Sequence, residues 1–313
     1  MTDQRLAGID IGTLTCRLLI ADLPATGGLK ELCSERRILR LGEGVDQSKR
    51  LKREAMDRVC QCLQEWQKVI DGYQVKARIA VATSAVRDAQ NRQEFLDRVK
   101  CEAGLDVEIL TGEEEAQRTM LGIRSGLPVG ITDVLALDIG GGSTEFILTQ
   151  HGKPALVRSI NVGVVRLSER MLHHDPPTDE EIQQARAWIR RETGDVLAGM
   201  PRRPGGTFVG TAGTITSLAA MAQRLPTYEP ARIHNYRLSL ETIVDLEQQL
   251  LSRSKAARVG MPGLEKNRED VIASGAIILR TVMDTLGERE CLVSDLGLRE
   301  GVLIELASRP ATG

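Results

Sequence analysis

Three short glycine-rich segments combine small residues with hydroxyl side chains, and each follows an apolar run typical of a buried strand. Glycine lets a backbone approach an anion closely, successive N–H groups form an anion-binding concavity, and hydroxyls add donors. The sequence therefore predicts phosphate-binding loops: the first glycine loop (residues 12–15), the second (residues 140–144) and the third (residues 210–214). The residues expected to bind phosphate are Gly12, Thr13, Thr15, Gly140, Gly141, Gly142, Ser143, Thr144, Gly210, Thr211, Gly213 and Thr214.

Two aspartates, Asp10 and Asp138, lie at the ends of the runs that lead into the first and second glycine loops. A carboxylate beside bound phosphate is a natural ligand for Mg²⁺, directly or through water. Alternatively, each carboxylate caps its turn by accepting hydrogen bonds from nearby N–H groups. Because both occur in the same context, we favour the metal role for the pair.

The same pattern occurs twice, as GIDIGTLT and later as ALDIGGGST, in each case between two apolar runs. Recurrence at a domain-scale distance predicts two related domains and not a solenoid, whose period is much shorter. Strands alternate with helical patterns along the chain, which predicts an α/β fold. We place the domains at residues 1–126 and 127–313, because glycine and proline cluster at the boundary. A closing helix over residues 298–307 belongs to the second domain or packs back on the first.

Helical periodicity and capping signals locate the main helices. Apolar residues at helical spacing predict an amphipathic helix over residues 51–70. Asn91 with Glu94, and Thr178 with Glu181, match the capping box that opens a helix.

Composition narrows the function classes. The 313 residues include 41 basic and 43 acidic side chains, so a net charge of −2 argues against broad nucleic-acid binding. Thirty glycines against two Trp, three Tyr and three Phe favour tight loops over base-stacking surfaces. No apolar stretch reaches the roughly 18 residues of a transmembrane helix, and the first residues do not resemble a signal peptide. We expect a cytoplasmic protein, without a membrane partner, whose six cysteines are reduced.

The glycine loops match neither the Walker A pattern nor the dinucleotide-binding G-x-G-x-x-G pattern. The duplicated strand–Asp-x-Gly–strand pattern resembles the superfamily of actin, sugar kinases and heat-shock chaperone ATPases. Within it, the chain resembles the Ppx/GppA family of exopolyphosphatases and guanosine pentaphosphate phosphohydrolases nearly from end to end. The resembling stretches are GIDIGTLTCRLLIAD, RLGEGVD, VATSAVRDAQN, TGEEEAQRTMLG, ALDIGGGSTEFIL, NVGVVRLSER, GTAGTITSLA and SDLGLREGVL.

The resemblance implies two actin-like (ribonuclease H-like) α/β domains that flank an interdomain cleft. It also implies Mg²⁺-dependent hydrolysis of a terminal phosphoanhydride, with inorganic polyphosphate or guanosine pentaphosphate as the substrate. By the same resemblance, Glu115 is the general base, with Glu114 as the alternative, and Arg87 grips the transferred phosphoryl group. The metal-associated acids are Asp138 and Glu145, to which the loop argument adds Asp10.

Some features depart from the family pattern or extend it. Leu14 stands where the family usually has an amide residue, and Ala212 stands where a glycine is common. The chain ends soon after SDLGLREGVL, so we expect a short form without the C-terminal helical domain of long members. A homodimer is expected from the resemblance alone. A basic region is a candidate contact for a polyphosphate tail: Arg36, Arg37, Arg40, Lys49, Arg50, Lys52 and Arg53.

Two other functions fit a protein of this fold. A non-catalytic sensor would bind guanosine tetraphosphate or another nucleotide and signal to a partner, and the Leu14 departure keeps this reading open. A kinase would need an adenosine pocket and a base at an acceptor site.

Overall fold

The computed structural model describes residues 4–24, 28–200 and 206–309. The chain divides into two compact units. Unit 1 comprises Met1–Ser125 together with Leu296–Gly313, and unit 2 comprises Gly126–Asp295. The division follows Ser125, one residue before the boundary placed from the sequence. The closing helix belongs to unit 1, so the second unit ends at Asp295 and not at the end of the chain.

A five-stranded mixed sheet lies at the centre of unit 1. Its strands are β1 (Gln4–Ile11), β2 (Thr15–Leu23), β3 (Lys30–Ile38), β4 (Ala77–Ala82) and β5 (Val107–Ile109). The spatial order is β3-β2-β1-β4-β5, with β1, β4 and β5 parallel and the β1–β2–β3 pairs antiparallel.

Unit 2 repeats this arrangement. Its strands are β6 (Val134–Ile139), β7 (Thr144–Gln150), β8 (Lys153–Ile160), β9 (Thr207–Thr211), β10 (Arg237–Ser239) and β11 (Glu290–Val293). The order β10-β11-β9-β6-β7-β8 reproduces the sheet of unit 1, with β10 added antiparallel at the edge. The duplicated Asp-Ile-Gly pattern therefore marks the same strand-to-strand turn in two α/β units.

Helices occupy most of the connections. They are α1 (Val45–Ser48), α2 (Arg53–Gly72), α3 (Ser84–Asp88), α4 (Arg92–Ala103), α5 (Gly112–Gly126), α6 (Val164–Met171), α7 (Asp179–Ala198), α8 (Ala212–Ala222), α9 (Pro230–Ile233), α10 (Leu240–Leu251), α11 (Lys255–Arg258), α12 (Ile272–Leu286) and α13 (Leu298–Ser308). The helix predicted over residues 51–70 is confirmed as α2, with both ends shifted by two residues. None of the described helices is both long and apolar enough to cross a membrane.

Both faces of the unit 1 sheet are covered, which explains why β1 is apolar on successive residues and not only on alternate ones. Ile9 and Ile11 pack with Trp66 of α2 and Phe95 of α4 in one core cluster. On the other face, Leu6 packs with Leu303 of α13. The helix that closes the chain thus completes the core around the first strand.

Helices α5 and α13 approach each other closely at two glycines. A Cβ atom on Gly301 would lie 1.6 Å from the carbonyl oxygen of Arg118, and one on Gly122 would lie 1.9 Å from that of Gly297. Only glycine fits such backbone contacts. These glycines therefore serve the packing of α13 on α5.

The two capping predictions have different outcomes. The Thr178–Glu181 box is confirmed, because the hydroxyl accepts from the Glu181 N–H at 3.3 Å and the carboxylate accepts from the Thr178 N–H at 2.9 Å. The Asn91–Glu94 box is wrong, since the Asn91 side chain makes no cap hydrogen bond. Its amide instead binds the backbone N–H and C=O of Leu51, at 2.8 and 3.1 Å. A long-range partner has displaced the local cap.

The first and last residues of unit 2 share one imidazole. The Nε2 atom of His234 lies 2.9 Å from the carbonyl oxygen of Gly126, and Nδ1 lies 3.3 Å from the backbone N–H of Asp295. Because Nδ1 accepts, the neutral ring carries its proton on Nε2 and donates it to Gly126. Asn235 donates to the same carbonyl at 3.3 Å, and the Tyr228 hydroxyl hydrogen-bonds the Asp295 carboxylate.

All six cysteines are free, as expected for reduced thiols. Burial raises the pKa of Cys60 to about 11 and that of Cys62 to about 12. Both thiols are therefore protonated and unreactive near neutral pH.

Candidate active site

The carboxyl ends of parallel strands meet at one edge of each sheet, and this is where α/β proteins place their ligands. In unit 1, β1 ends at Ile11, β4 at Ala82 and β5 at Ile109. The first glycine loop, α3 and the start of α5 follow these three ends. In unit 2, the second glycine loop follows β6. The third glycine loop begins with the last two residues of β9 and continues into α8.

At the edge of unit 1 the structure brings Arg87 and Glu115 together. Nη1 of Arg87 lies 3.1 Å from Oε2 of Glu115, and it also donates to the Leu110 carbonyl at 2.7 Å. Arg87 comes from α3, which follows β4, and Glu115 comes from the first turn of α5, which follows β5. The Glu115 residue is 8 % exposed. A carboxylate held in one orientation by a guanidinium is suited to orienting a water molecule.

The neighbouring Glu114 has a different task. Its Oε2 accepts from the backbone N–H of Thr111 at 2.8 Å and from the Thr111 hydroxyl at 2.9 Å, which caps α5. These hydrogen bonds, the backbone one first, hold the pKa of Glu114 below its usual value. The geometry therefore favours Glu115 over Glu114 as the general base, a choice that the sequence left open.

The first glycine loop is a tight hairpin turn. The Gly12 N–H donates to the Thr15 carbonyl at 3.0 Å, and a Cβ on Gly12 would lie 2.7 Å from that oxygen. The Thr13 hydroxyl pairs with the Ser84 hydroxyl at 2.7 Å, which links the loop to α3. Leu14 is buried, so its side chain points into the protein and takes no polar role at the surface of the loop.

The second glycine loop repeats this turn, because the Gly140 N–H donates to the Ser143 carbonyl at 3.0 Å. Its glycines Gly140 and Gly141 are partly exposed, whereas Ser143 and Thr144 are buried. The Thr144 hydroxyl donates to the carbonyl oxygen of Val162. This bond favours a structural role for the Thr144 side chain over the predicted contact with phosphate.

The third glycine loop contains a backbone conformation that suits glycine but is held by alanine. Ala212 has φ = 70°, in the left-handed region. It is also the partly exposed residue of a loop in which Thr211, Gly213 and Thr214 are buried. The Thr214 hydroxyl donates to the Ile139 carbonyl at 3.1 Å and so links the third loop to the strand before the second. Gly210 is required for packing, since a Cβ there would lie 2.5 Å from Cys291 Sγ.

The predicted metal ligands have unequal surroundings. Asp138 and Glu145 are directly opposed on the antiparallel pair β6–β7, and the Ser159 hydroxyl donates to Glu145 Oε1 at 2.7 Å. Opposed side chains on one sheet face lie about 4.5–5.5 Å apart at Cβ, so the register brings these two carboxylates close enough to bind one cation. In unit 1 the position opposed to Asp10 on the antiparallel pair β1–β2 is Arg17.

The carboxylate oxygens of Asp138 and Glu145 fit Mg²⁺, and the metal role predicted for Asp10 stays a prediction. Mg²⁺ prefers oxygen ligands and is usually held by one or two carboxylates together with substrate phosphates. In the described part of the chain, no group of three or more His, Cys, Asp or Glu side chains is arranged as a metal site. A site completed by phosphate oxygens and water needs only the carboxylate pair.

The basic region is partly neutralised within unit 1. Lys52 lies 2.7 Å from Glu43, Lys49 lies 3.7 Å from Asp46, and Arg37 is paired with Glu65. These pairs reduce the positive charge that the region presents, and its contact with a polyphosphate tail stays a prediction.

Sequence reasoning missed the residues that support the loops. The second glycine loop is held by Gly163 and the start of α6, within the stretch NVGVVRLSER that carries part of the family resemblance. Gly42 lies against Thr13 of the first loop, in the stretch RLGEGVD. The signal was the presence of glycines in these stretches away from any predicted turn.

The repeated α/β units, with a carboxylate–guanidinium pair and glycine turns at their strand ends, define a class of enzyme that acts on phosphoryl groups. The chain belongs to the Ppx/GppA phosphatase family, whose sequence profile matches residues 19–309. The predictions of an α/β fold of the Ppx/GppA type and of a phosphoanhydride hydrolase are thereby confirmed.

Individual relatives extend over nearly the whole chain. Exopolyphosphatase 2 of Mycobacterium tuberculosis is 35% identical over 319 residues, which cover 98% of this chain and 100% of the relative. A Ppx/GppA family member from Aquifex aeolicus has a similar structure, with a TM-score of 0.82, 35% identity and coverage of 97% and 98%. An exopolyphosphatase from Cytophaga hutchinsonii gives a TM-score of 0.87 at 29% identity, with 97% of both chains covered.

Proposed function

We propose that this protein is an exopolyphosphatase, which hydrolyses the terminal phosphoanhydride bond of inorganic polyphosphate and releases orthophosphate. The observation that carries the proposal is the Arg87–Glu115 pair, a fixed carboxylate beside the first glycine loop. The similarity to proteins named exopolyphosphatase supports the choice of substrate. Guanosine pentaphosphate carries the same type of bond, and we propose it as a second substrate.

The proposed mechanism depends on positioning and electrostatics, as phosphoryl transfer to water requires. Glu115 orients the attacking water towards the terminal phosphorus and accepts a proton from that water. Arg87 holds that carboxylate through Nη1, and its remaining N–H donors stabilise charge on the phosphoryl oxygens. The N–H groups of the glycine loops that the turns themselves do not use would bind phosphate oxygens.

We further propose that Asp138 and Glu145 hold Mg²⁺, which would neutralise the charge of the phosphate groups. Asp10, at the end of the strand before the first glycine loop, is proposed as a further metal ligand. Release of orthophosphate should then stop on chelation with EDTA and return with added Mg²⁺. Asp138→Asn should raise the Mg²⁺ concentration needed for half-maximal activity, whereas an unchanged requirement would argue against this site.

The test of function is orthophosphate release by the purified protein in Mg²⁺. Long-chain polyphosphate, tripolyphosphate, guanosine pentaphosphate and ATP are compared side by side. Glu115→Gln keeps the shape of the side chain but removes the base, so we expect activity to fall at least about a hundredfold.

Glu114→Gln is the matched control for Glu115→Gln. It changes the adjacent residue of the same helical turn and should affect stability more than turnover. Equal losses in the two variants would contradict the assignment of Glu115. Binding of guanosine tetraphosphate without hydrolysis of any substrate would instead favour the sensor.

A further inference from the structure

The three carbonyl groups of Gly140, Gly141 and Gly142 all accept hydrogen bonds from the start of α6. The N–H of Val164 donates to Gly140 at 3.0 Å, and that of Val165 donates to Gly141 at 2.8 Å. The contact is close, because a Cβ on Gly163 would lie 2.4 Å from the Gly141 oxygen. The backbone entering α6 therefore packs directly against the second glycine loop.

The third carbonyl depends on a side chain. Nε of Arg166 donates to the Gly142 oxygen at 2.8 Å, across 24 residues of sequence. Arg166 is 7 % exposed. Burying a guanidinium is unfavourable unless its donors are used, so this contact is a strong constraint on the geometry of both groups.

The direction of the carbonyls determines the direction of the N–H groups. In a planar trans peptide the C=O and the following N–H point in opposite directions. Three carbonyls turned towards α6 therefore aim the N–H groups of Gly141, Gly142 and Ser143 away from it. Successive N–H groups aimed in this way form a concavity for an anion.

In the first glycine loop, two carbonyl groups accept hydrogen bonds from backbone N–H groups. The Thr13 carbonyl accepts from the Gly42 N–H at 2.8 Å, and the Leu14 carbonyl accepts from Leu39 and Arg40 N–H groups at 3.0 and 2.9 Å. In the second loop one of these contacts comes from a long side chain, and this makes its geometry open to test by substitution.

We propose that Arg166 is a positioning residue, which orients the N–H groups of the second glycine loop towards phosphoryl oxygens without contacting them itself. The ligand class, a terminal phosphate, rests on the proposed function. The orientation of the loop does not, because it follows from contacts within unit 2.

The test uses two substitutions that differ in one donor. In Arg166→Gln the side-chain amide nitrogen occupies the place of Nε and can donate to Gly142, although the charge is gone. In Arg166→Met a methyl group occupies that place and cannot donate. If Arg166 positions the loop, the Arg166→Gln variant should keep the loop geometry and the affinity for phosphate, whereas the Arg166→Met variant should lose both.

The first readout needs no substrate. Amide hydrogen exchange and ¹⁵N chemical shifts of Gly141, Gly142 and Ser143 are compared in the ligand-free proteins. Arg166→Met should change the chemical shifts of these amides and speed their hydrogen exchange. The chemical shifts and exchange rates of amides in β6 and β9 should stay unchanged. Arg166→Gln should resemble the parent protein. Equal spectra for Met and parent would overturn the proposal.

The second readout is the affinity for tripolyphosphate by calorimetry and the KM for polyphosphate. We expect affinity to fall about tenfold in Arg166→Met, and less than about threefold in Arg166→Gln. Equal losses in both variants would show that the charge acts on the ligand directly, which contradicts a positioning role. If the parent protein hydrolyses none of the substrates, the proposed function is wrong. The hydrogen-exchange result still shows whether Arg166 orients the second glycine loop.

A third variant disturbs the loop without removing Arg166. Gly163→Ala leaves Arg166 in place but pushes on the Gly141 carbonyl, so it should also shift the loop amides. Gly194→Ala, where an added Cβ meets nothing within 4 Å, is its control and should leave the loop amides and the affinity unchanged. Loop amides unaltered in Gly163→Ala would contradict the close contact between the loop and the start of α6 on which the proposal rests.

Discussion

Adjacent glutamates in one helical turn show what residue types alone can and cannot decide. Glu114 and Glu115 have the same chemistry and the same favourable position near a helix N-terminus. They differ in their partners, Thr111 for the first and Arg87 for the second. Partners depend on where the chain returns in space, so residue type and position alone could not rank the two carboxylates.

The departures from the family pattern also acquire a physical meaning only in the fold. The side chain of Leu14 is buried, whereas Ala212 has a left-handed backbone conformation. The first substitution therefore concerns the interior of unit 1. The second concerns strain in the backbone of the third glycine loop.

We predict that Ala212→Gly stabilises the protein by about 1 kcal/mol. A non-glycine residue in the left-handed region costs about 1–3 kcal/mol, and the greater freedom of glycine in the unfolded chain offsets part of the gain. Urea denaturation checks the change in free energy of unfolding. Ala219→Gly, in the interior of the same helix, should be destabilising, and the same sign for both variants would argue against strain at Ala212.

At the scale of elements, local signals were reliable wherever no distant group competed. Periodicity located α2, and Thr178 with Glu181 opened α7 as predicted. Asn91 failed as a cap because Leu51, forty residues away, offered its backbone. The sequence signal for the close approach of α5 and α13 is one glycine in each helix. A single glycine in a helix has several explanations, so the contact could not be predicted from one sequence.

We predict that Gly301→Ala separates α13 from α5 and destabilises unit 1 by at least about 2 kcal/mol, as overpacking of an inflexible contact does. The added Cβ would meet a backbone oxygen, which cannot rotate away. Denaturation monitored by circular dichroism measures the loss. Gly72→Ala, where nothing lies within 4 Å of the added Cβ, is the control and should be neutral or slightly stabilising.

The start of α7 should make stability depend on acidic pH. Burial raises the pKa of Glu181, but hydrogen bonds from His174 and from the backbone N–H groups of Thr178 and His173 outweigh it and lower the pKa to about 2. The ionised carboxylate therefore contributes stability above the unfolded pKa near 4.5, and this contribution is lost as pH falls towards 2.

The measurement for Glu181 is unfolding free energy as a function of pH, in the parent protein and in Glu181→Gln. The variant should be less stable at pH 7, and the difference should shrink between about pH 4.5 and 2. A difference that stays constant over this window would show that ionisation of Glu181 is not the cause.

For the whole molecule, the duplicated Asp-Ile-Gly pattern correctly indicated two related α/β units. The sequence left open which unit α13 packs against, because the composition of a helix does not identify the element that covers its apolar face. Its apolar residues Leu298, Val302 and Leu303 complete the core clusters of unit 1. The first and last parts of the described chain thus build one unit.

We predict that a chain ending at Asp295 retains a folded unit 2 but loses unit 1. Burial of each large aliphatic side chain contributes about 2 kcal/mol, so three such losses approach the 5–15 kcal/mol stability of a whole domain. Hydrogen exchange should show β1 and β4 unprotected while β6 and β9 stay protected. Persistent protection of β1 and β4 would contradict a structural role for α13 in unit 1.

The imidazole of His234, bonded to both Gly126 and Asp295, has a consequence for how the chain can be recombined. It keeps the entry and the exit of residues 126–295 side by side, so this segment is topologically an insert within a host made by the rest of the chain. An insert with adjacent ends can be excised, circularly permuted or grafted into another surface loop with only a short linker. Joining Ser125 to Leu296 through a few glycines would close the host in the same way.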